Sequence, residues 1–222
     1  WVKTILSGWR TTGVISIRPG QPINLSSGVS TATSTPANTV GGLQGTVCAT
    51  CSLSALAVTP RSPNANPDYT GDPSQGTSPG CVIVTPGNVY KDASQVPTGI
   101  VLSSANSRVI AAGTKLGTPD MFYDPCAFTS PRWRELGNLG RNTMIGPNSR
   151  SWNPAIAKTT PLTENVKVEF RAEFFNILNR TNLGSPSNSL FSAGGAPQTA
   201  AGNITSTIGS PRQLQFALKL LF

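Results

Sequence analysis

QLQFALKLLF, residues 213–222, has an apolar side chain at nearly every second position and closes on an aromatic ring. The alternating apolar set is Leu214, Phe216, Leu218, Leu220 and Phe222. Because successive side chains of a β-strand point to opposite faces, this spacing predicts a strand with one wholly apolar face. Such a face suits either the core of a soluble sheet or the lipid-facing side of a membrane barrel.

A second stretch, VKVEFRAEF at 166–174, repeats the pattern with charges. Its apolar side chains alternate with Lys167, Glu169, Arg171 and Glu173. Four successive charges on one face of a long strand suit a water-filled lumen, so we expect these four side chains to face a lumen. A soluble amphipathic strand would show the same alternation, and the pattern of one strand does not separate the two.

Two further stretches are predicted as strands, at residues 5–18 and 152–159. The first is two-faced, with Trp9 at a position suited to a membrane interface. In the second, Pro154 predicts a poorly paired start, because proline has no N–H to donate to a neighbouring strand. Together with strands at 166–177 and 212–222, the chain has four predicted strands.

The connections between these strands alternate in length. A short turn joins 152–159 to 166–177, whereas long polar loops cover 19–151 and 178–211. Outer-membrane barrels have short periplasmic turns and long extracellular loops, whereas a soluble sandwich has no reason to keep its long loops at one end. We therefore predict an all-β fold of antiparallel transmembrane barrel strands with very long extracellular loops. The barrel is partial, since about eight strands are the minimum for closure.

The loops are rich in glycine, proline, serine and threonine, which forbid long elements. Within the first loop, Cys81–Thr85 and Gly99–Ser103 are β-prone and are predicted to pair as a hairpin. The four cysteines, Cys48, Cys51, Cys81 and Cys126, are disulfide candidates in an oxidising compartment. Three pairings are possible, and we expect Cys48–Cys51 and Cys81–Cys126 because near neighbours in sequence meet most often.

The sequence argues against an enzyme, a metal site or a cofactor. Cys48 and Cys51 have the spacing of half a zinc site, but the chain has no histidine and the other cysteines are isolated. Histidine-dependent catalytic triads and dyads are excluded for the same reason. Glu169 and Glu173 would lie about 13–14 Å apart along a strand, farther than the roughly 5–9.5 Å of a glycosidase pair.

The net charge of +8 raises the possibility of a nucleic-acid partner. The basic residues are scattered, however, without a Lys/Arg run or an aromatic-interleaved patch, so we expect no nucleic-acid binding. We expect most of the basic residues to face a lumen or the solvent. Phosphate-bearing surface lipid is a possible partner for the exposed ones.

Four motifs carry a family resemblance. DPCAF at 124–128, LGNLGRN at 136–142, FRAEFFNILN at 170–179 and PRQLQFALKLLF at 211–222 resemble the C-terminal end of TonB-dependent receptors. The resemblance is to the Oar-like type, which is abundant in acidobacteria. It implies a Gram-negative outer membrane location, a barrel of about 22 strands with a plugged lumen, and import of a nutrient of the siderophore, glycan or peptide class.

The resemblance also implies partners. They are the rest of the barrel and its plug, TonB acting through a missing N-terminal part, the barrel-assembly machinery and outer-membrane lipid. We expect residues 1–222 to be the C-terminal part of such a receptor, and the alternating residues from Leu214 to Phe222 to serve as an assembly signal. The alternative is a secreted or surface-exposed β protein, stapled by disulfides, with an adhesive or structural role.

Overall fold

The computed structural model describes residues 6–27, 71–130, 139 and 142–222, and these residues form an all-β structure. Two short 3-10 turns, Ala93–Gln95 and Pro125–Ala127, accompany the strands. In chain order the strands of this part are β1 (Trp9–Arg18), β2 (Pro22–Ile23), β3 (Ser26–Ser27), β4 (Cys81–Val84), β5 (Asn88–Tyr90), β6 (Ser107–Ile110), β7 (Met144–Ile145), β8 (Ser149–Pro161), β9 (Lys167–Phe175), β10 (Asn182–Leu183), β11 (Ser189–Phe191), β12 (Thr207–Ile208) and β13 (Gln213–Leu221).

The chain divides into two compact units. The sheet unit comprises residues up to 20 together with 147–184 and 206–222. The loop unit comprises residues 21–146 and 185–205, which belong to the two long connections.

The sheet unit is built on four antiparallel strands in the order β1-β8-β9-β13. All four predicted strands are present, and the fold class predicted from alternation is confirmed. The turn between β8 and β9 is short, with the N–H groups of Leu162 and Thr163 donating to the carbonyl oxygen of Val166. Among the described residues the sheet is open at β1 and β13, as expected for part of a barrel.

The prediction that Pro154 marks a poorly paired start of its strand is wrong. β8 begins five residues earlier, at Ser149, and Pro154 pairs with Gly13 of β1 inside the strand. The strand tolerates proline here because its ladder with β9 begins at Ala155, so β9 has no partner residue opposite Pro154. Gly13 suits the position, since a Cβ there would lie 3.2 Å from the Cα of Pro154.

The register places all the alternating sets on common faces. Trp9 lies opposite Lys158, Lys158 opposite Phe170, and Phe170 opposite Leu218. Directly opposed residues share a face, so one face of the sheet, the apolar face, collects the hydrophobic sets of all four strands. Its members are Trp9, Thr11, Gly13, Ile15, Ile17, Arg150, Trp152, Pro154, Ile156, Lys158, Thr160, Val168, Phe170, Ala172, Phe174, Leu214, Phe216, Leu218 and Leu220.

The loop unit contains a three-stranded antiparallel sheet in the order β5-β4-β6. Cys81–Thr85 therefore forms a strand as predicted, but the predicted partner Gly99–Ser103 is wrong. Gly87, at a φ of +98°, closes a tight turn by donating its N–H to Val84, which brings β5 against β4. The Gly99–Ser103 run is instead tied to Asn106, whose side chain binds the carbonyl oxygen of Val101 and the N–H of Ser103.

A disulfide joins β4 to the second 3-10 turn of the loop unit. Cys81 and Cys126 are bonded with their Cα atoms 5.8 Å apart, as the sequence predicted. Around them, Tyr123 and Phe128 are fully buried and meet edge to face with ring centroids 6.0 Å apart. The other predicted pair, Cys48–Cys51, lies outside the described residues, as does most of the LGNLGRN motif.

Candidate functional site

The polar face of the four-stranded sheet carries the residues predicted to face a lumen. Lys167, Glu169, Arg171 and Glu173 share this face of β9, opposite to Phe170 and its neighbours. Lys219 of β13 lies directly across from Glu169. Arg171 and Glu173 form an ion pair, with 2.6 Å between Nη2 and Oε1. The alternation of the sequence predicted the four residues but not this pairing.

A groove of about 400 Å³ lies on the half of this sheet nearer the long connections. Thr12 and Asn153 contribute uncharged polar groups to its lining, and Arg171 and Glu173 contribute the ion pair. Its shape depends on small side chains such as Ala155 of β8. The groove can offer hydrogen bonds and both signs of charge to a small polar solute.

Asparagine side chains complete the hydrogen bonding at the end of the sheet where the long connections begin. Asn182 binds both backbone groups of Arg150, with its Oδ1 2.9 Å from the N–H nitrogen and its Nδ2 3.1 Å from the carbonyl oxygen. Asn153 accepts from the backbone N–H of Asn176. Asn176 in turn donates to the carbonyl oxygens of Arg180 and Ser210. These residues were not predicted from the sequence, although the asparagines of FRAEFFNILNRTN form a visible cluster.

Asn176 also has a backbone conformation that few residues adopt. Its φ is +49°, a left-handed value that asparagine tolerates better than most residues. Its buried side chain therefore fixes the point where β9 ends, the second long connection starts and the chain returns before β13.

The loop unit holds a buried polar cluster that was likewise not predicted from the sequence. Arg108 of β6 donates through Nη1 to the carbonyl oxygens of Gln198 and Ala201, at 2.7 and 3.1 Å. The hydroxyl of Tyr123 donates to the carbonyl oxygen of Ser187 at 2.6 Å. These bonds join residues 64 to 93 positions apart in the chain, so side chains of the first long connection hold the second one in place.

Asp124 is the one carboxyl group of this cluster. Its Oδ1 accepts the N–H of Cys126 at 2.9 Å, whereas its Oδ2 is buried and has no hydrogen-bond partner among the described residues. Burial raises the pKa of Asp124, and the polarity of the nearby Ser78 hydroxyl, the Cys126 N–H and the charge of Arg108 oppose the rise only in part. Burial likewise raises the pKa of Tyr123 and lowers that of Arg108.

This environment predicts a loop unit that is more stable in acid. A carboxyl group with a raised folded-state pKa binds its proton more tightly in the folded state, so its contribution to stability is present below its ordinary pKa of 3.8. We expect the free energy of unfolding to fall as the pH rises above about 4, until the raised pKa is passed. Urea titrations at several pH values, read by pulse hydrogen exchange of β4 and β6 at one fixed pulse pH, measure this dependence.

The matched controls for that experiment are two aspartate variants. Asp124→Asn should remove the fall in stability. Asp92→Asn should leave it in place, because Asp92 is exposed and its pKa is lowered by the hydroxyl and N–H of Ser94. A fall that persists unchanged in Asp124→Asn would contradict the assignment.

Within the described part of the chain, no group of three or more potential metal ligands occurs. In the same residues, no helix is long and apolar enough to cross a membrane.

The comparison with protein families explains a sheet with one apolar and one charged face. A family model described as an outer membrane beta barrel domain matches residues 69–215, about two thirds of the chain. The chain belongs to this family. No curated protein and no solved structure is significantly similar to it. The match spans β8, β9 and the start of β13, and it establishes the outer membrane as the location of the protein.

Membership in the outer membrane barrel family indicates the environment of each face and of each end of the sheet. In such barrels the apolar face contacts lipid and the polar face lines the lumen. The short β8–β9 turn marks the periplasmic end and the two long connections mark the extracellular end. The apolar face of β13 carries Leu214, Phe216, Leu218 and Leu220. Phe222 is the residue directly after the strand. Their role as an assembly signal stays a prediction.

Proposed function

We propose that this chain is the C-terminal barrel portion of a TonB-dependent receptor of the Oar-like type, importing a nutrient across the outer membrane. The observation that carries the proposal is the charged polar face of the sheet, whose groove lies nearer the extracellular end than the periplasmic end. A solute entering from outside would meet the Arg171–Glu173 pair and Asn153 there. The motifs at 124–128, 170–179 and 211–222 support the same receptor group.

The proposal includes the partners of such a receptor. The open edges β1 and β13 would pair with the remaining barrel strands, because unpaired strand edges in a membrane leave backbone groups unsatisfied. A plug domain would occupy the lumen, TonB would act through that domain, and the barrel-assembly machinery would recognise β13. We propose no enzymatic activity and no nucleic-acid partner for the chain.

An uptake assay tests the import proposal. We expect a strain lacking this gene to lose uptake of one labelled class among ferric siderophores, oligosaccharides and peptides. A strain lacking TonB should show the same loss, and deleting both genes should add nothing further. Full uptake of all three classes in the gene-deletion strain would contradict the proposal.

Surface adhesion is a second candidate function, and the disulfide-linked loop unit is the observation that favours it. Buried hydrogen bonds and a cross-link make a stable extracellular body, which a binding surface also requires. Loss of attachment to surfaces with unchanged uptake, in the same deletion strain, would favour this candidate over import.

A further inference from the structure

Arginines gather at the extracellular end of the sheet unit. Arg150 is the second residue of β8, Arg180 follows β9 closely and Arg212 directly precedes β13. The segments that contain these three arginines, 147–150, 176–184 and 206–212, contain no aspartate or glutamate. The arginine charges therefore have no carboxylate among their neighbours in sequence at this end.

Asparagine side chains hold the backbones of all three arginines. Asn182 binds both backbone groups of Arg150. Asn176 accepts the N–H of Arg180 at 3.1 Å, and Asn148 accepts one N–H of the Arg180 guanidinium at 3.2 Å. Asn179 accepts the N–H of Arg212 at 3.4 Å. Because the backbones are fixed, less conformational entropy is lost when the guanidinium groups bind a ligand.

The position of Arg150 indicates what that ligand is. Arg150 lies on the apolar face, which contacts lipid, and Trp152 follows it on the same face. Tryptophan is enriched at membrane–water interfaces. At the periplasmic end of β8, Lys158 lies under the Trp9 ring, with Nζ 4.8 Å from the ring centroid. Arg150 and Lys158 are the charged residues of the apolar face in the described sheet.

The spacing of these two basic residues matches a membrane. Eight residues of strand separate them, which is about 27 Å along β8. A strand tilt of about 40° reduces this to about 21 Å of height, a little less than the apolar band of about 25 Å in outer-membrane barrels, so the two basic residues lie near its two borders. Arg150 is therefore close to the outer headgroups, whose phosphates an arginine fork can bind in bidentate fashion.

We propose that Arg150, Arg180 and Arg212 form a binding site for the headgroup phosphates of outer-leaflet lipids. The site depends on the membrane orientation of the family and not on import, so the uptake assay and the test below can fail independently. Arg150 supplies the lipid-facing contact. Arg180 and Arg212 add charge on the turns beside it.

Native mass spectrometry of the full-length protein in detergent, titrated with phosphatidic acid, tests the site. We expect Arg150→Gln to weaken lipid binding about five-fold and the triple Gln variant about 100-fold, the effect of one and three basic residues at an anionic membrane surface. Arg18→Gln is the matched control. Arg18 lies opposite Ser149 at the same end of the sheet but on the polar face, so its loss should leave lipid binding unchanged.

Two further measurements make the result decisive. Heat-modified gel migration reports whether each variant folds, and Arg150→Lys, which keeps the charge, should bind more tightly than Arg150→Gln. Millimolar inorganic phosphate should not displace the lipid, because the site also uses the adjacent apolar face. Equal weakening in Arg18→Gln and Arg150→Gln, or displacement by free phosphate alone, would overturn the proposal.

Discussion

Replacing Phe216 by lysine is expected to cost the folded barrel about 2 to 4 kcal/mol, the effect of a charge facing lipid inside the apolar band. Phe216 lies opposite Ala172, which lies opposite Ile156, so its row is between those of Arg150 and Lys158 on the apolar face. In the isolated sheet its side chain is 63% exposed. A surface position of that kind in a soluble protein would change stability by no more than about 0.5 kcal/mol. The substitution therefore separates lipid from water as the environment of this face.

Urea unfolding of the full-length protein in lipid vesicles measures the cost. Gln215→Lys is the matched control, because residue 215 lies on the polar face of the same strand, opposite Glu173. A lysine there should be tolerated or mildly favourable, since it gains an opposite charge across the strand pair. Equal costs for the two variants would show that the apolar face does not contact lipid.

The regular part of this fold was predictable because alternation in a strand is a local property. The four sheet strands, their shared apolar face and the alternation of short and long connections all follow from residues two positions apart and from loop length. Pro154 misled the prediction because the effect of a proline depends on which neighbouring strand lies across from it. That information belongs to the pairing of β8 with β1 and β9, and no single strand contains it.

The irregular part was less predictable because its contacts join distant segments. The bonds from Arg108 to Gln198 and Ala201 cross about 90 residues, and no periodicity reports them. The prediction that residues 99–103 pair with β4 was wrong because the side chain of Asn106 hydrogen-bonds to the backbone of Val101 and Ser103. The Cys81–Cys126 bond could be predicted only because cysteines are few. The asparagine bonds at the extracellular end depend on chain turns that their sequence spacing does not reveal.

Removing the Cys81–Cys126 disulfide is expected to destabilise the loop unit by about 4 kcal/mol while leaving the four-stranded sheet intact. The bond closes a loop with a sequence separation of 45. Opening a loop of that size returns about this much chain entropy to the unfolded state. The β5-β4-β6 sheet is short, and Asp124 and Tyr123, which flank the bond, depend on a fixed backbone for their buried contacts.

The double variant Cys81→Ala and Cys126→Ala tests this by hydrogen exchange of the full-length protein. Exchange in β4 and β6 should accelerate about a thousandfold if the full 4 kcal/mol is lost, since each 1.4 kcal/mol is tenfold in an equilibrium constant. Exchange in β8 and β9 should not change, because their ladders contain no residue of the loop unit. The pair Cys48→Ala and Cys51→Ala is the control and should leave β4 and β6 protected. If β8 and β9 lose protection together with β4 and β6, the two units do not unfold separately and the disulfide stabilises the whole chain.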